Sequence, residues 1–140
     1  MAIRLRKVAR KNPQKPGEVK YYLSQLKKGT VELDEAAKEI AIDEDMSEGN
    51  VHITLIGLTR HLSRYIRGGN SIRLGNFGSF HLTVQSEGKN TPEELSTPDV
   101  KHTKVVFIPG TELRQALEHL SFEIDNGPVT YDESKPEEEG

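Results

Sequence analysis

The 140-residue chain contains no cysteine. That excludes a disulfide framework and any thiolate metal site, and it suits a reducing compartment. No apolar run reaches membrane length and no signal-peptide core follows Met1, so a soluble, cytoplasmic protein with no membrane partner is expected. Catalytic signatures are missing too: there is no GxxxxGK(S/T) phosphate loop, no GxSxG elbow and no HExxH. The five histidines, His52, His61, His81, His102 and His119, lack metal-ligand spacing, and the carboxylates show no pairing suited to acid and base work. No enzyme, metal or cofactor is expected.

Hydrophobic residues make up only 34% of the chain, which still allows one domain with a core. The net charge of −3 hides strong segregation. Residues 1–28 carry nine Lys and Arg against Glu18, a net +8, whereas residues 29–48 carry eight acids against Lys38, a net −7. Residues 49–122 have eight bases and six acids, and residues 123–140 have seven acids and one base. A charge distribution of this kind is compatible with a polyanionic partner even though the sum is acidic.

In residues 1–28, Ile3-Arg4-Leu5-Arg6 and the stretch around Tyr21, Leu23 and Gln25 alternate, and Asn12 to Gly17 reads as a loop. The segment is expected to be two strands or an extended basic arm, serving either as an edge hairpin or as a phosphate-contacting surface through Arg4, Arg6, Lys7, Arg10 and Lys11. Leu33, Ala36, Ala37, Ile40 and Ala41 mark a short amphipathic helix with acids near its start. Ser47 is the expected N-cap of a longer helix that stops before Gly68-Gly69-Asn70, with Val51, Leu55, Leu58, Leu62 and Ile66 as its apolar stripe. That stripe is broad enough for a partner subunit to cover part of it. Arg60, Arg64 and Arg67 lie on the polar side, as a solvated stripe or a lateral phosphate contact.

From Gly69 to Gly110 the pattern changes to period 2. Ile72, Leu74, Phe80, Leu82 and Val84 share one phase, and Phe77 falls out of it between Gly75 and Gly78, which predicts a tight turn between strands. The second strand runs to about Glu87, passes a polar tip from Gly88 to Asp99, and returns as Val100 to Ile108. A last helix with Leu113, Ala116, Leu117 and Leu120 on one face follows, with Thr111 as its expected N-cap.

GNFGSF (Gly75 to Phe80), GKNTP (Gly88 to Pro92) and VVFIPGTELRQAL (Val105 to Leu117) in this order resemble the bacterial HU and integration host factor family of histone-like proteins. The resemblance runs from about Leu33 to Leu120. It implies an α+β, HU-like dimerising domain, with a helical base and a three-stranded antiparallel sheet extended into a β-ribbon arm. It further implies nucleoid-associated binding and bending of double-stranded DNA without sequence specificity. By this resemblance Lys89, Asn90 and Pro92 stand where the family places its arm tip, with Thr91 inserted between the asparagine and the proline that in the family wedges between base pairs, and Arg73, Lys101, His102 and Lys104 are the basic ribbon candidates. The tip departs from the family in carrying Glu87, Glu93, Glu94 and Asp99, which motivates an alternative: an HU-shaped interaction module without DNA binding. A homodimer is expected, or a heterodimer with a related subunit. The expected division is a basic extension over 1–28, the HU-like domain over 29–122, and an acidic, disordered tail over 123–140 that aids solubility or competes for the basic surface.

Overall fold

The computed structural model describes residues 2–15 and 17–132. They fall into two compact units, Met1–Thr30 with Ala116–Gly140, and Val31–Gln115.

In the first unit, β1 (Ile3–Lys11) and β2 (Val19–Gln25) form an antiparallel hairpin, with Leu5 opposite Gln25 and Lys11 opposite Val19. The loop closes where the Asn12 N–H donates to the Glu18 carbonyl at 3.0 Å. Of the two forms open to residues 1–28, the structure therefore has the strand pair. The other edge of β1 is covered by β6 (Phe122–Ile124) and β7 (Thr130–Asp132), both parallel to it. This differs from a disordered tail over 123–140: residues 122–124 and 130–132 are strands, and residues 133–140 lie outside the described residues. The physical reason is that a strand edge exposes unpaired N–H and C=O groups, which a returning segment can satisfy despite its polar composition. Nor do the two units follow the expected boundaries at 28 and 122, because the described residues from Ala116 to Asp132 belong with β1. Val8 and Ala9, on the central strand, are buried.

The second unit opens with α1 (Leu33–Asp43) and α2 (Glu48–Arg67). Asp34 and Glu35 occupy the first turn of α1, where carboxylates complement the positive helix end. Ser47 caps α2, its hydroxyl oxygen accepting from the Asn50 N–H at 3.4 Å. Ala37 and Ala41 of α1 bury themselves against Val51 of α2, with Leu55 packed alongside. Small side chains let the two helices approach closely. His52 Nε2 and Asp34 Oδ1, 3.0 Å apart, tie the pair together at the surface.

β3 (Ile72–Arg73), β4 (Gly78–Ser86) and β5 (Val100–Pro109) follow as an antiparallel sheet in that order. Between β3 and β4, Gly75–Phe77 makes one turn of 3₁₀ helix. Phe77 leaves the strand phase there, yet it rejoins the aromatics, with ring centroids 5.8 Å from Phe107 and 6.2 Å from Phe80. α3 (Thr111–Ala116) comes next and is shorter than the expected last helix, since Leu117–His119 is a 3₁₀ turn and Leu120 is extended. Thr111 is its first residue rather than its cap: the Gly110 carbonyl accepts the first helical bond, from the Arg114 N–H at 3.0 Å.

The turn and the end of β5 meet backbone to backbone. The Gly110 N–H donates to the Phe77 carbonyl at 3.0 Å, and the Leu74 N–H to the Gly78 carbonyl at 2.8 Å. A Cβ on Gly110 would run into the Asn76 carbonyl, and one on Gly78 into the Ile108 carbonyl and Phe107 Cε2. Gly78 also holds φ +139°, a region that L side chains rarely enter. Gly110→Ala and Gly78→Ala should each destabilise the fold by about 1–3 kcal/mol through overpacking. Thermal unfolding checks this, with Gly88→Ala, where a Cβ meets open space, as a control expected to leave the Tm unchanged.

Candidate nucleic-acid interface

The pairing of β4 with β5 sorts their side chains, because directly opposed residues share a face. Phe80 faces Phe107, Leu82 faces Val105 and Val84 faces Thr103, which makes one side apolar. On the other side Thr83 faces Lys104, Gln85 faces His102 and, across β3, Arg73 faces Ser79. Arg73, His102 and Lys104 are thus brought onto one surface with the hydroxyl and amide groups of Ser79, Thr83 and Gln85, and the pairs Ser79–Ile108 and His81–Val106 put Ile108, Val106 and His81 on the same face between Arg73 and Lys104. No carboxylate shares that face among the paired residues. Such a surface offers cationic and neutral donors, the groups that contact phosphate and sugar oxygens, at both ends of a short apolar strip.

Lys101 does not join them. The register shifts between Gln85 and Ser86, so that Ser86 opposes Val100 and Lys101 becomes the extra residue of a β-bulge. Its ammonium lies 3.7 Å from Glu87 Oε2. Lys89 sits between Glu87 and Asp99, at 3.9 and 3.7 Å. Two of the expected arm cations are therefore already engaged by carboxylates, which offsets part of their pull on an external anion.

The tip itself is folded. Pro92–Glu94 and Thr97–Asp99 are two 3₁₀ turns, each with proline near its start, where a fixed φ and a missing N–H fit the turn. Asp99 organises the second one: its carboxylate accepts from the Ser96 N–H at 2.9 Å and faces the Ser96 hydroxyl at 3.4 Å. Its own carbonyl accepts from the Glu87 N–H at 2.8 Å. Asn90 and Pro92 are exposed beside this knot, and so is Leu95 between the two turns, a residue that the sequence reading passed over. Its signal was an isolated apolar side chain in an otherwise polar loop.

In the first unit the alternation of β1 places Arg4, Arg6 and Arg10 on one face and Lys7 and Lys11 on the other. Lys20, opposite Arg10, adds a fourth base to the arginine face, and the Arg10 guanidinium lies 5.3 Å from the Tyr22 ring centroid. The five residues singled out in this segment do not form one patch. The face is also partly compensated, since Arg4 donates to Asp125 at 3.0 Å and lies in register with Glu123. Among the described residues no group of three or more His, Asp or Glu is placed to hold a metal ion, and no helix is long and apolar enough to cross a membrane.

A sequence profile of the family described as an HU domain fused to a winged helix-turn-helix, immunoglobulin or glycine-rich motif matches residues 1–124. Among solved structures, the crystal structure of a proposed bacterial DNA-binding protein from Bacteroides vulgatus matches with a TM-score of 0.60 and 8% sequence identity, covering 87% of this chain and 48% of that one. At that identity the likeness is one of fold, and the chain spans about half the length of that protein. No curated protein sequence matches the chain.

Asp99 is the residue on which the tip depends. Asp99→Ala removes the acceptor of the Ser96 N–H and a partner of Lys89, so the Ser96 amide should exchange its hydrogen about 10- to 100-fold faster, in line with the roughly 1.5–3 kcal/mol that a hydrogen bond to a charged group contributes. Exchange in the Phe80 to Thr83 ladder should stay as it was. Unchanged protection at Ser96 would show that the tip is held by other contacts.

Proposed function

We propose, from the premise that the chain belongs to the family of HU domains fused to a winged helix-turn-helix, immunoglobulin or glycine-rich motif, that it binds and bends double-stranded DNA without reading its sequence. The observation that carries this reading is the carboxylate-free ribbon face with Arg73, His102 and Lys104. Phosphate contacts from such a face supply affinity that is independent of sequence and falls with salt, because each one releases condensed counterions. Pro92 and Leu95 at the tip are the apolar groups suited to wedge between base pairs from the minor groove. Unstacking costs a few kcal/mol per step in the minor-groove architectural proteins, HU and integration host factor among them, and is offset by the larger contact with bent DNA. No reaction is part of this role, and the place of action is the nucleoid.

The functional unit is a dimer in this reading. In the second unit only Ala37, Ala41 and Val51 are buried apolar residues, while Ile40, Ile42, Met46, Phe77 and Phe107 are exposed. A domain of that length ordinarily buries most of its apolar surface, and a second subunit would cover what this one leaves open. A homodimer is the simplest form, and a related subunit would serve the same surface. Light scattering on the purified chain should give twice 15.7 kDa, and a mass of one chain at micromolar concentration would contradict the dimer.

Binding to a fluorescent duplex of about 30 base pairs across a salt series tests the DNA role. Arg73→Gln with Lys104→Gln should lower the magnitude of the log K against log salt slope by about two, since each lost phosphate contact removes about 0.9. Glu87→Gln, which releases Lys101 and leaves Lys89 with Asp99 alone, should tighten binding. Replacing Arg4, Arg6, Lys7, Arg10 and Lys11 by Gln should flatten the slope as well if the hairpin touches DNA, and an unchanged slope would confine the contact to the second unit. The carboxylates around Lys89 and Lys101 favour one other reading, an HU-shaped interaction module. Absence of binding even at low salt would select it.

A further inference from the structure

The polar side of α2 carries a feature that the ribbon does not explain. Arg60, Arg64 and Arg67 recur at i, i+4 and i+7, which at about 100° per residue places them within roughly 60° of arc along about 10 Å of helix. Together with Thr59 and Ser63 they line one surface depression of about 540 Å³. Arg67 Nη2 donates to the Ser63 hydroxyl at 3.4 Å, and Thr59 turns its hydroxyl to the Leu55 carbonyl at 3.2 Å. Among the described residues no carboxylate forms an ion pair with any of the three guanidiniums.

Two ordinary explanations account for only part of this. Cations in the last turn of a helix gain from its dipole, which covers Arg64 and Arg67 but not Arg60, about one turn further in. A solvated helix face usually alternates its charges, because like charges at i, i+4 repel and opposite ones attract. Here the reverse holds. From Gly49 to Ser86 the chain has no Asp or Glu at all, although it has 22 in total. The repulsion between Arg60 and Arg64 is thus left unrelieved by the protein itself, and an external polyanion would relieve it. All three bases are arginine, whose planar fork binds phosphate in bidentate fashion where lysine offers a point charge.

We propose that this row of arginines is a phosphodiester-binding surface, which holds one strand of duplex DNA along α2 in addition to the ribbon contact. The proposal rests on the DNA-binding reading above. Phosphates of one strand recur about every 3.4 Å along the duplex axis, so a row of about 10 Å spans roughly three of them, one for each guanidinium. The ligand class is the sugar-phosphate backbone, with no base contact and no sequence preference.

The test uses the full chain and a fluorescent duplex of random sequence, with Arg60→Gln, Arg64→Gln and Arg67→Gln combined, and the same three positions changed to Lys. Circular dichroism verifies that α2 is retained, and the single change Arg60→Gln stands in if the triple variant does not fold. The Gln variant should lose two to three from the magnitude of the log K against log salt slope, and at 50 mM salt it should bind at least tenfold more weakly. The single variant should lose about one. The Lys variant should recover the slope but not the full affinity. If a folded Gln variant keeps the wild-type slope while Arg73→Gln with Lys104→Gln does not, the arginine row is not a DNA surface and the ribbon reading stands. If the wild-type chain binds no duplex at all, both fall.

Discussion

The second unit depends on the close approach of two glycines. Gly78 opens β4 and Gly110 follows β5, and the space between their backbones is too small for a side chain on either. Because the Gly110 N–H is spent on the Phe77 carbonyl, the 3₁₀ turn is fastened to the end of the ribbon. The same contact sets the pairing of Gly78 with Pro109, from which the register up to Gln85 follows. Register in turn decides which side chains share a face, since a slip by one residue would exchange the two sides of a strand. Arg73, His102 and Lys104 lie together only because this junction holds, and so does the packing of Phe77, Phe80 and Phe107.

Charge is distributed by the same local rules. Where cations stand next to carboxylates, as Lys89 and Lys101 do at the tip and Arg4 does beside Asp125, ion pairs form inside the molecule. Where the fold separates them, cations stay clear of carboxylates, and among the described residues the stem of the ribbon and the polar side of α2 are two such surfaces. Exposed pairs of this kind contribute little to stability, so their main effect is on what the surface can attract. The tip is then a shaped element with four carboxylates against Lys89 and Lys101, and the positive charge of the ribbon lies on its stem. That division differs from an arm rich in lysine and arginine, and in the proposed role it places the phosphate contacts on the sheet more than on the loop.

Much of this could be read from the residues. The Ser47 cap, the apolar stripe of α2 and the period-2 phase of Ile72, Phe80, Leu82 and Val84 each rest on local spacing, and the structure has those elements in place. The bulge at Lys101 was not legible, since one extra residue on one strand shifts the register without altering composition. Pairing of β6 and β7 with β1 was hidden for another reason. Their strands are three residues long and polar in context, and the partners are far apart in sequence, 121 positions in the case of Arg4 and Asp125. The last helix was overextended because Leu113, Ala116, Leu117 and Leu120 keep a helical period past the point where the backbone tightens. The acid-free stretch from Gly49 to Ser86 was visible in the sequence, but its meaning emerged only when three of its arginines lined one depression.

The central claim is that the carboxylate-free face of the β4–β5 ribbon lies against DNA. The absence of cysteine from the chain permits a direct measurement, in which a photoactivatable crosslinker is attached to a single cysteine placed either at Thr83, beside Lys104, or at Val84, on the opposite side. The account predicts that duplex DNA is captured from position 83 and only weakly from position 84. Equal capture from both positions, or capture from position 84 alone, would contradict it.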